Sequence, residues 1–394
     1  RDSSVTGVQT CALPICSLGQ PGNAADGTIK LGSTSNTGTL TYYGNGVTTD
    51  RILDMAGTTG GATVNHSTQG LLKFVNDVTT SGSGVKTLSL GGSFGGSGEL
   101  SGSINNSAGG KTAVTKNGTG TWTLSGNNAY TGDVNVAAGT LILAATNNQG
   151  LGAINVGSSA GNGLLKLGAG TLLTGGGGKG NGSIRIGNNG GARSALYMTG
   201  GTVTRTPATG DDGLTVGRSQ GSYGYFNMSG GVLNITRIQT GASGATLTSN
   251  TVGNVRITGG TVTLRDYILL ARGPGCVGAF TLGGGTLYHT NTTERISLGY
   301  EGGRAELNLT GGSLLSGTNV IVRQTVGNTT GIVNLCAGRL TTSFFLNNAG
   351  TAFLNFAGGT LAASANSFTN FIPAAMSGVS CYGAYGPFAG GATL

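Results

Sequence analysis

Charged residues are rare in this sequence, making up 9% of 394 residues, and histidine occurs only twice. A hydrophobic fraction of 37% combined with so little charge argues against intrinsic disorder. No run of 18 or more apolar residues occurs, so no segment is predicted to cross a membrane as a helix. Proline is limited to six residues and glycine does not recur at every third position, which excludes collagen.

Glycine, by contrast, is abundant, with 80 residues. Each glycine inside a helix costs about 1 kcal/mol relative to alanine, so the composition predicts short β-strands separated by glycine turns. The net charge of +8 comes from 21 basic and 13 acidic residues without a run of lysine or arginine. Because phosphate binding needs clustered cations, we expect no nucleic-acid partner.

The first 15 residues differ in character from the rest. Residues 5–15 resemble the translation of a sequencing-adaptor oligonucleotide, so we interpret residues 1–15 as non-native and the chain as a fragment that lacks its export signal and anchor. The five cysteines show neither zinc nor redox spacing, and the sequence leaves open whether the three distant from this segment are free. They are Cys11 and Cys16 at this end, and Cys276, Cys336 and Cys381.

A Gly-Gly or Ala-Gly corner recurs through the second half of the chain at spacings of 21 to 30 residues. Such internal similarity is typical of a solenoid. The last glycine of each corner is Gly201, Gly231, Gly260, Gly285, Gly312, Gly338 or Gly359.

Within each unit the apolar residues alternate with a period of two, which indicates strands. In one unit Leu214 and Val216 form the first pair, Phe226 and Met228 precede the corner, and Leu233 follows it. In the last unit the pattern places Phe344 inward. Three short strands per unit predict an all-β, elongated, three-sided parallel β-helix, with about 15 coils and a length near 70 Å. We divide it into residues 16–165, residues 166–365, and a degenerate coil or the start of a new block at 366–394.

The segment from Thr115 to Gly132, followed by a strand that ends at Gly139-Thr140-Leu141, resembles the autotransporter-associated β-strand repeat. The resemblance covers about residues 115–143 and departs from the family pattern at Asp133. It implies a bacterial passenger, built as a right-handed β-helix, that is extracellular or exposed on the outer-membrane surface. The family offers no catalytic residues to carry over.

The apolar residues of this segment also have a physical interpretation. Trp122 and Leu124 share one strand face, residues 134 and 136 a second, and Leu141 and Leu143 a third, so we predict that they close one triangular coil. Because a large aromatic side chain is usually part of a core, we expect Trp122 to be buried and not to serve as a sugar platform.

Candidate catalytic and metal-binding residues are few. Paired carboxylates serve glycoside hydrolysis, but Asp211-Asp212 lacks the further elements of a polygalacturonase site, and we interpret it as a polar turn. His66 and His289 are far apart in sequence and are predicted to be separate surface side chains. The glycine runs at 91–96 and 175–180 lack the residues of a calcium repeat and of a phosphate loop.

Outward-facing residues predict two kinds of ladder. Asn308, Asn334 and Asn355 occupy equivalent positions in successive units and are expected to stack as an amide ladder. Threonines beside Val203 and Val262 resemble the arrays of ice-binding β-helices, but three other residues interrupt them, which argues against ice binding. The interruptions are Val232, Leu315 and Arg339.

The sequence therefore predicts no catalytic, cofactor-binding or metal-binding residue and no cofactor. The function that we expect is that of a non-enzymatic, extracellular or cell-surface structural or adhesive passenger, shaped as a monomeric rod. Its partners are expected to be extracellular polysaccharide or a host or neighbouring cell surface. The alternative is a polysaccharide-binding or polysaccharide-degrading β-helix protein.

Overall fold

The computed structural model describes most of the chain from residue 27 to residue 381. The described ranges are 27–93, 95–145, 152–159, 161–170, 172–175, 183–205, 213–241, 250–291, 293–322, 329–348, 350–364 and 370–381. The segment interpreted as non-native, residues 1–15, and much of 366–394 lie outside these ranges.

All regular structure in these ranges is β-strand, in 34 strands. The strands up to residue 143 are β1 (Thr28–Leu31), β2 (Gly38–Tyr42), β3 (Val47–Thr49), β4 (Ile52–Met55), β5 (Ala62–His66), β6 (Gly70–Phe74), β7 (Lys86–Gly91), β8 (Gly96–Leu100), β9 (Thr112–Lys116), β10 (Thr121–Leu124), β11 (Val134–Val136) and β12 (Gly139–Leu143).

The second half repeats a set of three strands per coil. In the coils that contain β26, β28 and β30, one long strand takes the place of the second and third strands and turns the corner without a break. The strands are β13 (Ile154–Val156), β14 (Gly163–Leu167), β15 (Leu172–Gly175), β16 (Ile184–Ile186), β17 (Arg193–Met198), β18 (Thr202–Arg205), β19 (Leu214–Val216), β20 (Tyr223–Met228), β21 (Val232–Ile235), β22 (Ile238–Thr240), β23 (Val252–Ile257), β24 (Thr261–Leu264), β25 (Ile268–Leu270), β26 (Val277–His289), β27 (Ile296–Leu298), β28 (Arg304–Ser316), β29 (Val320–Val322), β30 (Thr330–Thr342), β31 (Phe345–Asn347), β32 (Thr351–Phe356), β33 (Thr360–Ala363) and β34 (Gly378–Cys381).

Each coil contributes one strand to a 13-stranded parallel sheet, the first side of the solenoid. Its strands occur in chain order, and β13 pairs with both β11 and β16, so the sheet continues without interruption from the first half into the second. At about 4.8 Å between neighbouring strands, 13 strands extend over about 60 Å. The predicted elongated, all-β parallel solenoid is confirmed.

The second and third sides are joined by the long strands. On the second side β14, β17, β20 and β23 stack in parallel, and on the third side β15, β18, β21 and β24 do so. Strand β26 pairs with β23 through its first half and with β24 through its second half, so it crosses from one side to the other. In the N-terminal half the third side consists of β1, β4 and isolated bridges.

The core is a single column of inward-facing apolar side chains enclosed by the three sides. The predicted alternation is confirmed in the coil that contains Leu214, Val216, Phe226, Met228 and Leu233, all of which are buried. The last coil differs by one position. Phe345, and not the predicted Phe344, is buried, because β31 pairs with β29 so that Phe345 lies beside Val320.

The corner glycines form a second column. All seven predicted corner glycines have a positive φ, between 65° and 91°. At Gly312 an added Cβ would lie 2.6 Å from the carbonyl oxygen of Gly285, one coil below, and at Gly231 it would lie 2.5 Å from that of Gly201. These positions therefore need glycine both for backbone conformation and for the close approach of adjacent coils.

The prediction that residues 122–143 close one triangular coil is wrong. Strand β12 pairs with β10, with Trp122 beside Leu141 and Leu124 beside Leu143, so the two strands occupy the same side in successive coils. The sequence spacing does not show whether a strand lies on the next side of the same coil or on the same side of the next coil. In both cases the strand carries inward apolar residues at alternate positions. The remaining turn of this coil is closed by the loop at 125–133, in which Tyr130 is fully buried.

Candidate functional site

Trp122 belongs to the core, as predicted, with 1% of its surface exposed. Its indole Nε1–H donates a hydrogen bond of 2.8 Å to the carbonyl oxygen of Gly91. The ring is thus held by packing and by a buried hydrogen bond, and no face is available to a sugar.

The two histidines are buried, which contradicts the prediction that they lie on the surface. His66 lies within 2.9 Å of the Ser97 carbonyl oxygen through Nδ1 and beside the ring of Tyr42, at 5.2 Å between centroids. His289 lies 2.9 Å from the Ser316 hydroxyl through Nδ1 and also contacts the carbonyl oxygen of Asp266. Both residues end strands at corners, where an inward polar ring satisfies backbone carbonyl groups.

Burial also changes the protonation of His289. Desolvation lowers its pKa below the usual value of 6.5, opposed by the hydrogen bond to Asp266 and the charge of Glu294. The neutral ring is therefore favoured in the folded chain.

Two lysines are buried at corners of the N-terminal half. The Lys116 ammonium donates to the carbonyl oxygens of Asn117, Gly118 and Ala138 at 2.6, 2.8 and 3.2 Å. Burial lowers its pKa from 10.5 to about 8. Lys86 likewise contacts the carbonyl oxygens of the turn at 57–58, and desolvation lowers its pKa. Each ammonium fills the inside of a glycine corner as a structural group.

Some of the residues weighed as catalytic or metal-binding candidates lie outside the described part of the chain. Asp211 and Asp212, and all but the first residue of the glycine run at 175–180, lie outside the described residues. No group of three or more potential metal ligands occurs among the residues described. Cys276 is buried and Cys336 half-buried. The described residues also include no helix able to span a membrane.

The predicted amide ladder is confirmed on the second side. Asn334 donates through Nδ2 to Oδ1 of Asn308 at 2.7 Å, and Asn355 donates to Oδ1 of Asn334 at 2.7 Å. On the third side Val232 stands between Thr202 and Thr261, so the interruption of the threonine array is confirmed.

The second side also carries an aromatic surface that the sequence reasoning missed. Tyr197 on β17 and Tyr223 on β20 are exposed by 36% and 40%. Tyr225 is half-buried next to Tyr197, with ring centroids 5.7 Å apart and planes at 68°. Together with Leu164 and Arg193 they line a hollow of about 460 Å³, which we call the tyrosine groove.

A second hollow, of about 510 Å³, adjoins the first, because Tyr197 and Leu164 line both. It extends the groove to Ile142 on β12 and places Lys166 at its edge. The two hollows together cross four stacked strands, β12, β14, β17 and β20, which is about 14 Å along the solenoid axis.

The charged side chains that face outward on the described strands around the groove are all positive. Lys166, Arg193 and Arg256 face outward on β14, β17 and β23, and none forms an ion pair with a carboxylate among the described residues. None of the outward-facing residues on β14, β17, β20 and β23 is acidic. Burial raises the pKa of Tyr225, while Arg256, which is hydrogen-bonded to it, opposes this.

A signal for the groove was present in the sequence. Tyr197 and Tyr225 each neighbour an inward apolar residue in a period-two strand, and Tyr223 lies two residues before Tyr225, so the outward direction of all three follows from the alternation. That they meet depends on the register between β17 and β20, which places Ala195 opposite Tyr225 and Tyr197 opposite Asn227.

Comparison with known proteins finds one matching family model and a similar adhesin. Residues 114–143 match the family model of the passenger-associated-transport-repeat. An adhesin, the BmaC autotransporter of Brucella suis biovar 1 (strain 1330), is 35% identical over 117 residues, which are 29% of this chain and 3% of the adhesin. The chain thus spans a small part of the length of this curated relative. No solved structure matches the chain.

Proposed function

Because the chain carries a passenger-associated transport repeat at residues 114–143, we propose that it is part of an extracellular or cell-surface passenger with a structural and adhesive role and without catalytic activity. The observation that carries this proposal is the repeat's position inside the solenoid. Its strands β10, β11 and β12 pair with coils on both sides, so the repeat is a building block of one continuous rod.

The residues of the rod support a structural role. Buried polar side chains such as Lys116 and His66 contact backbone carbonyl groups at corners. Outward side chains of the described residues form an amide ladder and open hollows. The similarity to an adhesin over 117 residues favours adhesion as the use of this lateral surface.

The proposal is tested by displaying the chain on a laboratory Gram-negative strain, fused to an autotransporter translocation domain. We expect external protease to remove the displayed chain from intact cells, and the displaying cells to adhere to glycan-coated or cell-coated surfaces more than cells with the translocation domain alone. Adhesion equal to that of the control cells would overturn the adhesive role.

Catalysis is tested separately with the purified chain. Incubation with a panel of polysaccharides should release neither reducing ends nor unsaturated products. Turnover that Asp211→Asn abolishes would replace the structural role with the alternative of a polysaccharide-degrading enzyme, for which an acidic pair is the usual machinery.

A further inference from the structure

We propose that the tyrosine groove binds a linear polysaccharide whose sugars carry carboxylate groups. This inference rests on the proposed adhesive role, for which it names a site and a ligand class. The groove combines three properties on one sheet. It has exposed aromatic rings, it has cations without a carboxylate partner among the described residues, and it extends over two adjoining hollows.

The aromatic rings provide the apolar part of the site. Tyr197 and Tyr223 remain well exposed beside half-buried Tyr225, although an isolated rod would gain by turning such rings away from water. A tyrosine has an apolar ring and a polar hydroxyl, and a pyranose has an apolar C–H face bordered by hydroxyl groups. Stacking the two surfaces buries both apolar faces while the hydroxyl groups keep their hydrogen bonds.

The cations determine the charge of the ligand. Lys166 lies at the hollow on one side of Tyr197 and Arg193 at the hollow on the other. A guanidinium binds a carboxylate through two parallel hydrogen bonds, which a neutral sugar cannot offer. The outward residues of β14, β17, β20 and β23 include no acid. No carboxylate on these strands therefore repels a polyanion or competes with it for the cations.

The shape favours a chain over a single sugar. The two hollows share Tyr197 and Leu164 and together extend over about 14 Å along the stacking direction of the coils. Cations at both hollows, with a tyrosine between them, match a polymer in which acidic groups recur from one sugar to the next.

Binding is measured by isothermal titration calorimetry on the purified chain, with alginate as the acidic polymer and dextran as the neutral one. We expect binding of alginate that weakens as salt rises, because salt screens exposed charges, and no binding of dextran. Arg193→Gln should weaken alginate binding about tenfold, the loss of one charge-assisted contact.

Arg304→Gln provides a matched control for charge. Arg304 occupies the same outward row of the second side as Arg193, but it is ion-paired with Glu306 at 2.9 Å. The two variants change the net charge equally. Equal weakening by both would indicate attraction to the overall positive charge and would overturn the groove as a site.

The aromatic contribution is tested with Tyr197→Ser against Tyr288→Ser. Tyr288 is similarly exposed, at 43%, but lies on the third side. We expect Tyr197→Ser to weaken alginate binding about fivefold or more and Tyr288→Ser to leave it unchanged, with equal thermal midpoints confirming that both variants fold. Unchanged binding in Tyr197→Ser, or no binding of alginate by the wild-type chain, would overturn the proposal.

A displayed variant with both Arg193→Gln and Tyr197→Ser separates this inference from the adhesive role. Reduced adhesion to alginate-coated surfaces supports the groove. Full adhesion by the double variant to alginate would overturn the groove while the adhesive role stands. Absence of adhesion by the displayed wild-type chain to every glycan-coated and cell-coated surface would overturn the role itself.

Discussion

Trp122 on β10 lies directly opposite Gly98 on β8, in the preceding coil. A Cβ at Gly98 would lie 2.4 Å from Cε3 of the indole ring. The ring therefore occupies the space that a side chain on the neighbouring coil would need. The bulk of Trp122 is accommodated by a glycine that is 24 residues away in sequence, as the register shows.

Gly98→Ala is expected to lower the free energy of unfolding by about 1–3 kcal/mol, because the added methyl group overpacks a dense core. The indole cannot move aside without losing its hydrogen bond to Gly91. Urea denaturation followed by fluorescence measures the effect at this site, since Trp122 is the chain's only tryptophan.

Gly168→Ala is the matched control, because the nearest heavy atom to its added Cβ is 4.0 Å away. It should leave the urea midpoint almost unchanged. If Gly98→Ala proves as stable as Gly168→Ala, then Trp122 is not held tightly against β8.

Much of the fold follows from the sequence because its signals are local. Alternation with a period of two determines which side chains point inward, and Met228 and Leu233 are buried as expected. The corner glycines are recognisable because a left-handed backbone conformation excludes most other residues. The sequence did not show on which side of the solenoid β12 lies. That depends on how far the preceding loop turns the chain, which local alternation does not determine.

The candidate site was less predictable for the same physical reason. A groove exists only when outward residues from several coils lie side by side, and Leu164, Tyr197 and Tyr225 come from three different coils. The burial of His66 and His289 was also missed, because their distance in sequence argues against a shared metal site but does not show which way each ring points. At a corner, however, an inward imidazole satisfies carbonyl groups that would otherwise lack donors.

Gly312→Ala is expected to cost more stability than Gly191→Ala, although both glycines have a positive φ, 65° and 72° respectively. At Gly191 nothing lies within 4 Å of an added Cβ, so the cost is conformational, about 1 kcal/mol. At Gly312 contact with the Gly285 carbonyl oxygen should add about 1–3 kcal/mol. Urea midpoints of the two variants measure the difference, and equal midpoints would show that adjacent coils can separate at the glycine column.

Asn334→Ala is expected to reduce the free energy of unfolding about twice as much as Asn355→Ala. Asn334 has a ladder hydrogen bond on each side, whereas Asn355 has one, to Asn334. At about 1 kcal/mol for each bond, the expected losses are about 2 and 1 kcal/mol. Chemical denaturation of both variants measures these losses, and equal losses would mean that the amides do not act as a ladder.

The stability of the chain should fall as the pH drops below about 6.5, in part because of His289. Its pKa is lower in the folded chain than in the unfolded one, so acid protonates the unfolded chain first. The contribution is complete above the unfolded pKa and is lost as the pH falls towards the folded value. In His289→Gln the urea midpoint should fall less between pH 7 and pH 5 than it does in the wild type. In Asn334→Ala it should fall as much as in the wild type.

Lys116 should make stability rise with pH on the alkaline side. In the unfolded chain it keeps its proton up to about 10.5, but in the folded chain only up to about 8. Between these values the unfolded chain binds more protons, so raising the pH favours the folded state. The physical cause is burial of the ammonium in a corner, where it donates to three carbonyl oxygens.

Urea midpoints of the wild type and Lys116→Met between pH 8 and pH 10 test this expectation. The urea midpoint should rise less with pH in Lys116→Met than in the wild type. Some of the rise should remain, because desolvation also lowers the pKa of Lys86. Lys73→Met is the control for removal of a lysine, since Lys73 faces outward and pairs with Glu99 at 2.9 Å. A reduced rise in Lys116→Met alone supports burial of the Lys116 ammonium as the cause. An undiminished rise in Lys116→Met would mean that its ammonium reaches water in the folded chain.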